Sequence, residues 1–341
     1  MIVFTCGGTG GHISPAINLA RNLQEEVLFI GGNRLEKEML KGIYPFKEIT
    51  VSRNNLLLII KGLFQAIKIL KETKPRFVFS TGGYVSFPVS LATVFLGIPL
   101  VLLEQNSVPG KVNKVLAFFA TLIFTGFPKA QEFFPKNKTV YSGNPVPINT
   151  SSSIKARKLL LVVGGSQGAR NMNNLVFDTL PYLSSLGLKV FWITGNKNFE
   201  EITNKMKPFQ VAEGLYEVNG TVVDIKAFLN KVTDYMPEVK LAISRAGAMS
   251  IAELVAYEIP AVYIPYEYAA ENHQFYNAEY VVKARGGVML EESTGDGGKL
   301  FEMLGFLNSN YDAYKDELRK LGKINSVRII IDKLKKERLL E

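Results

Sequence analysis

The chain has 341 residues, 47% of them hydrophobic and 21% charged, a balance that excludes a disordered or fibrous protein and leaves room for two domains with separate cores. Its 1 cysteine, Cys6, excludes an internal disulfide and suits a reducing compartment. With 40 Lys and Arg against 31 Asp and Glu the net charge is +9, which admits an anionic membrane surface, nucleic acid or an anionic substrate.

The opening Met1-Ile2-Val3-Phe4 has no cationic region and no long apolar stretch, so it reads as a first strand rather than a signal peptide. The apolar runs Val94 to Leu103 and Val115 to Phe124 are too short or interrupted to span a bilayer. Strand Ile2 to Thr5 runs into Gly7-Gly8-Thr9-Gly10-Gly11-His12, and a helix is predicted over Ser14 to Gln24. A strand that ends in glycines and turns into a helix presents unpaired N–H groups at the positive end of a dipole, which is a seat for phosphate. The dinucleotide fingerprint is incomplete, because the second strand, Val27 to Ile30, ends in Gly31-Gly32-Asn33 without an acid for a ribose. His12, one of 2 histidines, stands in this cradle as a candidate general base.

A helix is predicted over Leu56 to Glu72, with Leu56, Ile60, Leu63, Ile67 and Leu70 as the stripe that seats it on a sheet. A neighbouring face carries Leu57, Lys61, Phe64, Lys68 and Lys71, apolar and cationic together, as an interfacial anchor does; a buried helix with a solvated lysine edge fits the pattern equally well. Arg53, Lys61, Lys68, Lys71, Lys74 and Arg76 flank this stretch, and no nucleic-acid signature occurs, so the charge favours a membrane surface and no nucleic acid.

Phe77 to Ser80 is the next strand and runs into Thr81-Gly82-Gly83-Tyr84; Leu100 to Leu103 and Leu122 to Thr125 follow. Gly143-Asn144-Pro145-Val146-Pro147 and Asn149 to Ser153 break regular structure and read as a linker. In the second half Leu159 to Val163 runs into Gly164-Gly165-Ser166-Gln167-Gly168. The Ser166 hydroxyl with the amides of Gln167 and Gly168 fits a diphosphate, while Arg170 reads as a surface cation. Further strands are predicted at Lys189 to Thr194, at Leu241 to Ser244 leading into Arg245-Ala246-Gly247-Ala248, and at Ala261 to Ile264. Strands alternating with helices imply an α/β fold of two doubly wound parallel sheets, whose ligands sit at the carboxyl ends of the strands. Glu253, on the helix opening at Gly247, would accept bonds from two adjacent hydroxyls. Gln274 and Asn277 lie on one helical face at i and i+3, as two amides able to read sugar hydroxyls. Ser326 to Glu341 is a basic amphipathic helix with Ile329, Ile330 and Leu334 on its apolar side, suited to either lobe. No cluster has metal-ligand spacing, so no tightly bound metal is expected.

These residues together resemble the MurG family of bacterial transferases. The resemblance rests on Gly7-Gly8-Thr9-Gly10-Gly11-His12 with Pro15, Gly82-Gly83-Tyr84-Val85-Ser86, Glu104-Gln105-Asn106, Gly143-Asn144-Pro145-Val146, Gly164 to Arg170, Ser244-Arg245-Ala246-Gly247-Ala248, Glu253, and Gln274 with Asn277. It implies a GT-B fold, two Rossmann-like domains facing across a cleft: residues 1–147 plus 325–341 for the acceptor and membrane, and 148–324 for the donor. The implied reaction moves N-acetylglucosamine from UDP-N-acetylglucosamine, with inversion, to the 4-hydroxyl of the muramyl sugar in undecaprenyl-diphosphate-linked N-acetylmuramyl-pentapeptide (lipid I), giving lipid II for peptidoglycan. Other transferases acting on a membrane lipid, a UDP-sugar 2-epimerase and a non-enzymatic UDP-sugar-binding regulator are the alternatives.

On this resemblance His12 is the catalytic base. The donor is met by Thr9, Gly10, Gly11, Gly165, Ser166, Gln167, Gly168, Arg245, Gly247, Ala248, Glu253, Gln274 and Asn277, with Ser166 at the diphosphate, Glu253 at the ribose, and Ala248, Gln274 and Asn277 at the N-acetylglucosamine. Gly82, Gly83, Tyr84, Glu104 and Asn106 face the acceptor. Leu57, Lys61, Phe64 and Lys68 form a patch on an anionic membrane, which places the chain peripherally at the cytoplasmic face of the bacterial inner membrane, with other cell-wall synthesis proteins open as partners. No cofactor is required, and the final helix returns to the first lobe. The chain departs from the family at Pro147, where arginine is common, at His273, where glutamine is usual, and in a shorter segment from Asp234 to Arg245.

Overall fold

The structure, a computed structural model, describes residues 1–8, 10–33, 35–147, 157–165, 168–229, 231–322 and 324–341. It falls into two units, Met1–Val146 with Ile324–Glu341, and Pro147–Lys323. The units divide within the predicted linker: its Gly143 to Val146 part belongs to the first unit, Pro147 to the second, and its Asn149 to Ser153 part lies outside the described residues.

In chain order the first unit contains β1 (Ile2–Thr5), α1 (Gly10–Ala20), β2 (Val27–Gly31), α2 (Leu35–Leu40), β3 (Phe46–Glu48), α3 (Leu56–Thr73), β4 (Val78–Ser80), α4 (Ser86–Leu96), β5 (Leu100–Glu104), α5 (Lys111–Leu116), β6 (Leu122–Thr125) and β7 (Thr139–Tyr141). The strands form one parallel sheet ordered β3-β2-β1-β4-β5-β6-β7. Along β1, Ile2 and Phe4 enter the core on one face and Val3 the core on the other, so the strand must be apolar throughout. Phe4 anchors a row of rings across the sheet, with centroids 5.3 Å from Phe29 and 5.2 Å from Phe79. The chain leaves β1 toward β2, then returns to β4 on its other side. The loops after β1 and β4 therefore lie at the switch point, where an open α/β sheet takes its ligand.

Two expectations in this unit are corrected. Helix α1 begins at Gly10, four residues before the predicted start, because the glycine cluster itself forms the first turn; it ends at Ala20. The predicted core stripe of α3 is only half buried: Leu70 packs inward beside Gly62 and Ala66, whereas Leu56 is 70% and Ile60 41% exposed. Gly62 comes so near the chain that a Cβ there would sit 2.6 Å from the Thr50 carbonyl oxygen. Close approach at these small residues rotates the larger side chains of the first two turns outward.

The second unit contains β8 (Leu159–Val163), α6 (Arg170–Thr179), β9 (Lys189–Ile193), α7 (Phe199–Met206), β10 (Gln210–Ala212), β11 (Leu215–Val218), β12 (Thr221–Lys226), β13 (Val239–Ser244), α8 (Ala248–Ala256), β14 (Ala261–Tyr263), α9 (His273–Lys283), β15 (Gly287–Met289), α10 (Gly297–Ser309) and α11 (Tyr311–Leu321). Its sheet runs β10-β11-β12-β9-β8-β13-β14-β15, antiparallel only between β10, β11 and β12. The switch point lies between β8 and β13. Trp192 is fully buried and donates its indole N–H to Asn173 Oδ1 at 3.1 Å, tying β9 to α6.

Helix α12 (Ser326–Lys336) closes the chain and belongs to the first unit, where Ile330, Leu334, Leu339 and Leu340 are buried with Ile2, Phe4 and Phe79. No helix among the described residues is long and apolar enough to cross a membrane.

Candidate active site

At the switch point of the first unit two glycine turns touch backbone to backbone. A Cβ on Gly83, whose φ is +86°, would fall 2.4 Å from the Gly7 carbonyl oxygen, so no side chain fits there. Gly8 donates its N–H to Glu36 Oε1 at 3.2 Å, and Glu36 is 1% exposed. The Gly8 amide is thus already occupied, which leaves Gly10 and Gly11, in the first turn of α1, as the free end of the predicted phosphate seat. Thr9 lies outside the described residues.

His12 is held from both sides. Its Nδ1 is 2.9 Å from the Thr81 carbonyl oxygen and 3.2 Å from Gln105 Oε1, while the Thr81 hydroxyl donates to the His12 carbonyl at 2.7 Å. A carbonyl oxygen only accepts, so in the neutral ring Nδ1 carries the proton and the lone pair sits on Nε2. Gln105 is held in turn: its Nε2 donates to Thr81 O at 2.9 Å, and its own carbonyl accepts from Asn144 Nδ2 at 3.0 Å. The family-like pairs Glu104-Gln105-Asn106 and Gly143-Asn144 thus meet behind the histidine. Glu104 turns the other way. It is 2% exposed, and its carboxylate accepts from the Asn106 and Gly110 amides and from Asn113 Nδ2 at 2.9 to 3.1 Å, so it shapes the loop after β5. Tyr84 is partly exposed beside Gly8 and Asn106 beside Glu104. Cys6 is buried, and burial pushes its thiol far above the usual range, which suits a packing residue.

In the second unit Gly165 (φ +88°) and Gly168 (φ +80°) flank Ser166 and Gln167, which lie outside the described residues. A Cβ on Gly168 would strike Asn198 Oδ1 at 2.3 Å. Helix α6 follows with no side-chain cap. Arg170 pairs with Glu201 at 3.0 Å on the surface. Helix α8 likewise starts at Gly247-Ala248 without a side-chain cap. On its second turn Glu253 is mostly buried, and desolvation pushes its carboxyl up to about 7. Asn277, fully buried, donates to the Ala246 carbonyl at 3.1 Å, and Gln274 Oε1 accepts from the Tyr266 amide at 3.0 Å. Both amides of α9 therefore pin neighbouring turns. Glu271 and Asn272, just before α9, take left-handed backbone angles (φ 56° and 50°), a conformation that costs energy outside glycine.

Arg245 is placed differently from a surface anion clamp. It is 8% exposed, and its guanidinium donates to the Ile264 and Pro265 carbonyls at 3.1 and 3.2 Å and to the Glu292 carboxylate. Glu36, Gln105 and Glu292 were not among the sequence-derived candidates. Of these, Gln105 alone has a local signal, since it stands inside the Glu104-Gln105-Asn106 motif. Among the described residues no group of three or more His, Cys, Asp or Glu is arranged to hold a metal.

On α3, Leu57 is 75% and Phe64 67% exposed, with Lys61 and Lys68 exposed alongside. Other apolar groups stand out of the same unit, including Phe95 on α4 and Phe118 after α5.

Two doubly wound sheets, each with glycine turns at its switch point, are the architecture of GT-B glycosyltransferases. Residues 2–125 match the glycosyltransferase family 28 N-terminal domain and residues 159–334 the family 28 C-terminal domain. The chain belongs to glycosyltransferase family 28. Relatives named UDP-N-acetylglucosamine–N-acetylmuramyl-(pentapeptide) pyrophosphoryl-undecaprenol N-acetylglucosamine transferase include those of Bacillus subtilis, 33% identical with 92% of each chain covered, and Halothermothrix orenii, 36% identical with 89% of each covered. Among solved structures, Acinetobacter baumannii MurG superposes with a TM-score of 0.77 at 24% identity over 98% of each chain. The Staphylococcus aureus MnaA–UDP complex reaches 0.70 at 16% identity, over 99% of this chain and 97% of that one.

Proposed function

We propose that the chain transfers N-acetylglucosamine from UDP-N-acetylglucosamine to the 4-hydroxyl of the muramyl sugar of lipid I, with inversion, to give lipid II. The observation that carries the reading is His12: its Nδ1 proton is directed at two fixed oxygens, which leaves Nε2 as the acceptor for a hydroxyl proton. In this reading the acceptor hydroxyl gives its proton to Nε2 as its oxygen attacks the anomeric carbon, and UDP departs from the opposite side. The helix starts at α6 and α8, neither capped by a side chain, would meet charge growing on the diphosphate. Glu253 would hold the ribose hydroxyls, and the free amide N–H groups of Gln274 would read the sugar.

The relatives at 31 to 36% identity that carry the transferase name support this reading over a 2-epimerase, since the likeness to an epimerase structure is 11% identical and concerns the fold. The exposed α3 face, apolar with lysines on the same side, supports a peripheral seat on the anionic cytoplasmic leaflet, where the acceptor resides. The test is UDP release from UDP-N-acetylglucosamine with and without a lipid I analogue. Acceptor-dependent release supports transfer. Donor binding without release would make the chain a regulator, and release driven better by another lipid would name a different acceptor.

A further inference from the structure

Three loops at the carboxyl edge of the second sheet meet on one buried charge. Arg245 lies in the turn after β13, its carbonyl partners Ile264 and Pro265 in the loop after β14, and its ion-pair partner Glu292 in the loop after β15. Both charged side chains are more than nine-tenths buried, at 9% and 7% exposure. The guanidinium also lies 5.6 Å from the Tyr266 ring centroid, within cation–π range. Glu267 Oε1 accepts the Ser293 amide at 2.8 Å, a second tie between the same two loops. Tyr266 in turn gives its N–H to Gln274. A buried ion pair is poor evidence for stability, because desolvation offsets most of the attraction. What this one does geometrically is hold the segment from Ile264 to the strained Glu271-Asn272 pair in one place. Three of the five guanidinium N–H groups go to two carbonyls and a carboxylate, and the side chain is 9% exposed, so little of it is left to face a phosphate.

We infer that Arg245 is a positioning residue, which through Glu292 and the Ile264 and Pro265 carbonyls fixes the loop that sets Gln274 against the sugar of the donor, and that it does not grip the diphosphate. The inference rests on the donor reading above and deepens it: the ion pair governs recognition of the hexosamine, not of the nucleotide.

Calorimetry on the full chain separates the two roles, with UDP and UDP-N-acetylglucosamine as probes and the parent, Glu292→Gln and the double variant Arg245→Met/Glu292→Met as proteins. The double variant replaces the pair by apolar groups of similar length, a change that buried pairs commonly tolerate, and it is read if Glu292→Gln fails to melt cooperatively. The expected result is UDP affinity within about twofold of the parent in both variants, with UDP-N-acetylglucosamine affinity lowered about tenfold or more, roughly the loss of one good polar contact. Equal weakening for both ligands overturns the inference, as does unchanged binding of the nucleotide sugar. Failure of the unmodified chain to bind either ligand sinks the donor reading itself, and this inference with it.

Discussion

Burial holds the Glu253 carboxyl at about 7, against 4.5 for its ordinary value. A folded value above the unfolded one means that folding favours the neutral form, so the stabilising contribution is complete below the unfolded value and lost as pH rises through about 7. Glu253→Gln, which cannot ionise, should therefore melt higher than the parent at about pH 8 and no higher at about pH 4, as paired thermal melts will show. Ligand binding runs in the opposite sense, since a carboxylate that accepts two hydroxyls needs its charge. UDP affinity of the parent should rise between about pH 6 and 8, and the rise should disappear in Glu253→Gln; a flat profile in the parent contradicts the ribose role. At this scale the candidates themselves are legible in the sequence. His12 and Glu253 announce themselves by following glycine turns at strand ends. The orientation of neighbours does not: Glu104 and Gln105 are adjacent, yet the carboxylate turns into its own loop and the amide toward His12, a choice made by Asn113 and Thr81 elsewhere in the chain. Glu36 and Glu292 escape notice for the same reason, since their partners are brought to them only by the fold.

The paired glycine turns are an element-level device. Gly83→Ala must place a methyl against the Gly7 carbonyl and adopt a positive φ, and about 1–3 kcal/mol of destabilisation is expected, read by denaturant unfolding. A loss under about 0.5 kcal/mol would mean that the two turns separate at little cost. Helix α3 offers the reverse case, a face whose loss leaves the fold alone. Leu57→Asp with Phe64→Asp should abolish co-sedimentation with vesicles containing anionic lipid while stability changes by less than about 1 kcal/mol. Retained sedimentation would place the membrane contact elsewhere. The long buried strands were visible as apolar β-branched runs. The strands not legible in the sequence are β3, β7, β10, β11, β12 and β15, most of them short and at or near sheet edges, where partial exposure erases the apolar pattern; all of β10, for example, is exposed. The start of α1 at Gly10 is not legible, because glycine carries no helical signal of its own.

For the whole molecule, the alternation of strand and helix predicts two doubly wound sheets, and both are present. The attachment of α12 follows from the resemblance and not from the helix's own pattern, because a basic amphipathic helix suits either core; it lies with Phe4 and Phe79, where Ile330 and Leu334 are buried. The molecule thus carries its histidine on one unit and Glu253 on the other. The functional account needs both, with His12 serving the chemical step alone. The measurement that bears on it most directly is the single-turnover transfer rate of His12→Ala, with donor and lipid I analogue both saturating. The account predicts a fall of about 10²- to 10⁴-fold with donor affinity unchanged. A rate within about threefold of the parent would show that Nε2 takes no proton and would contradict it.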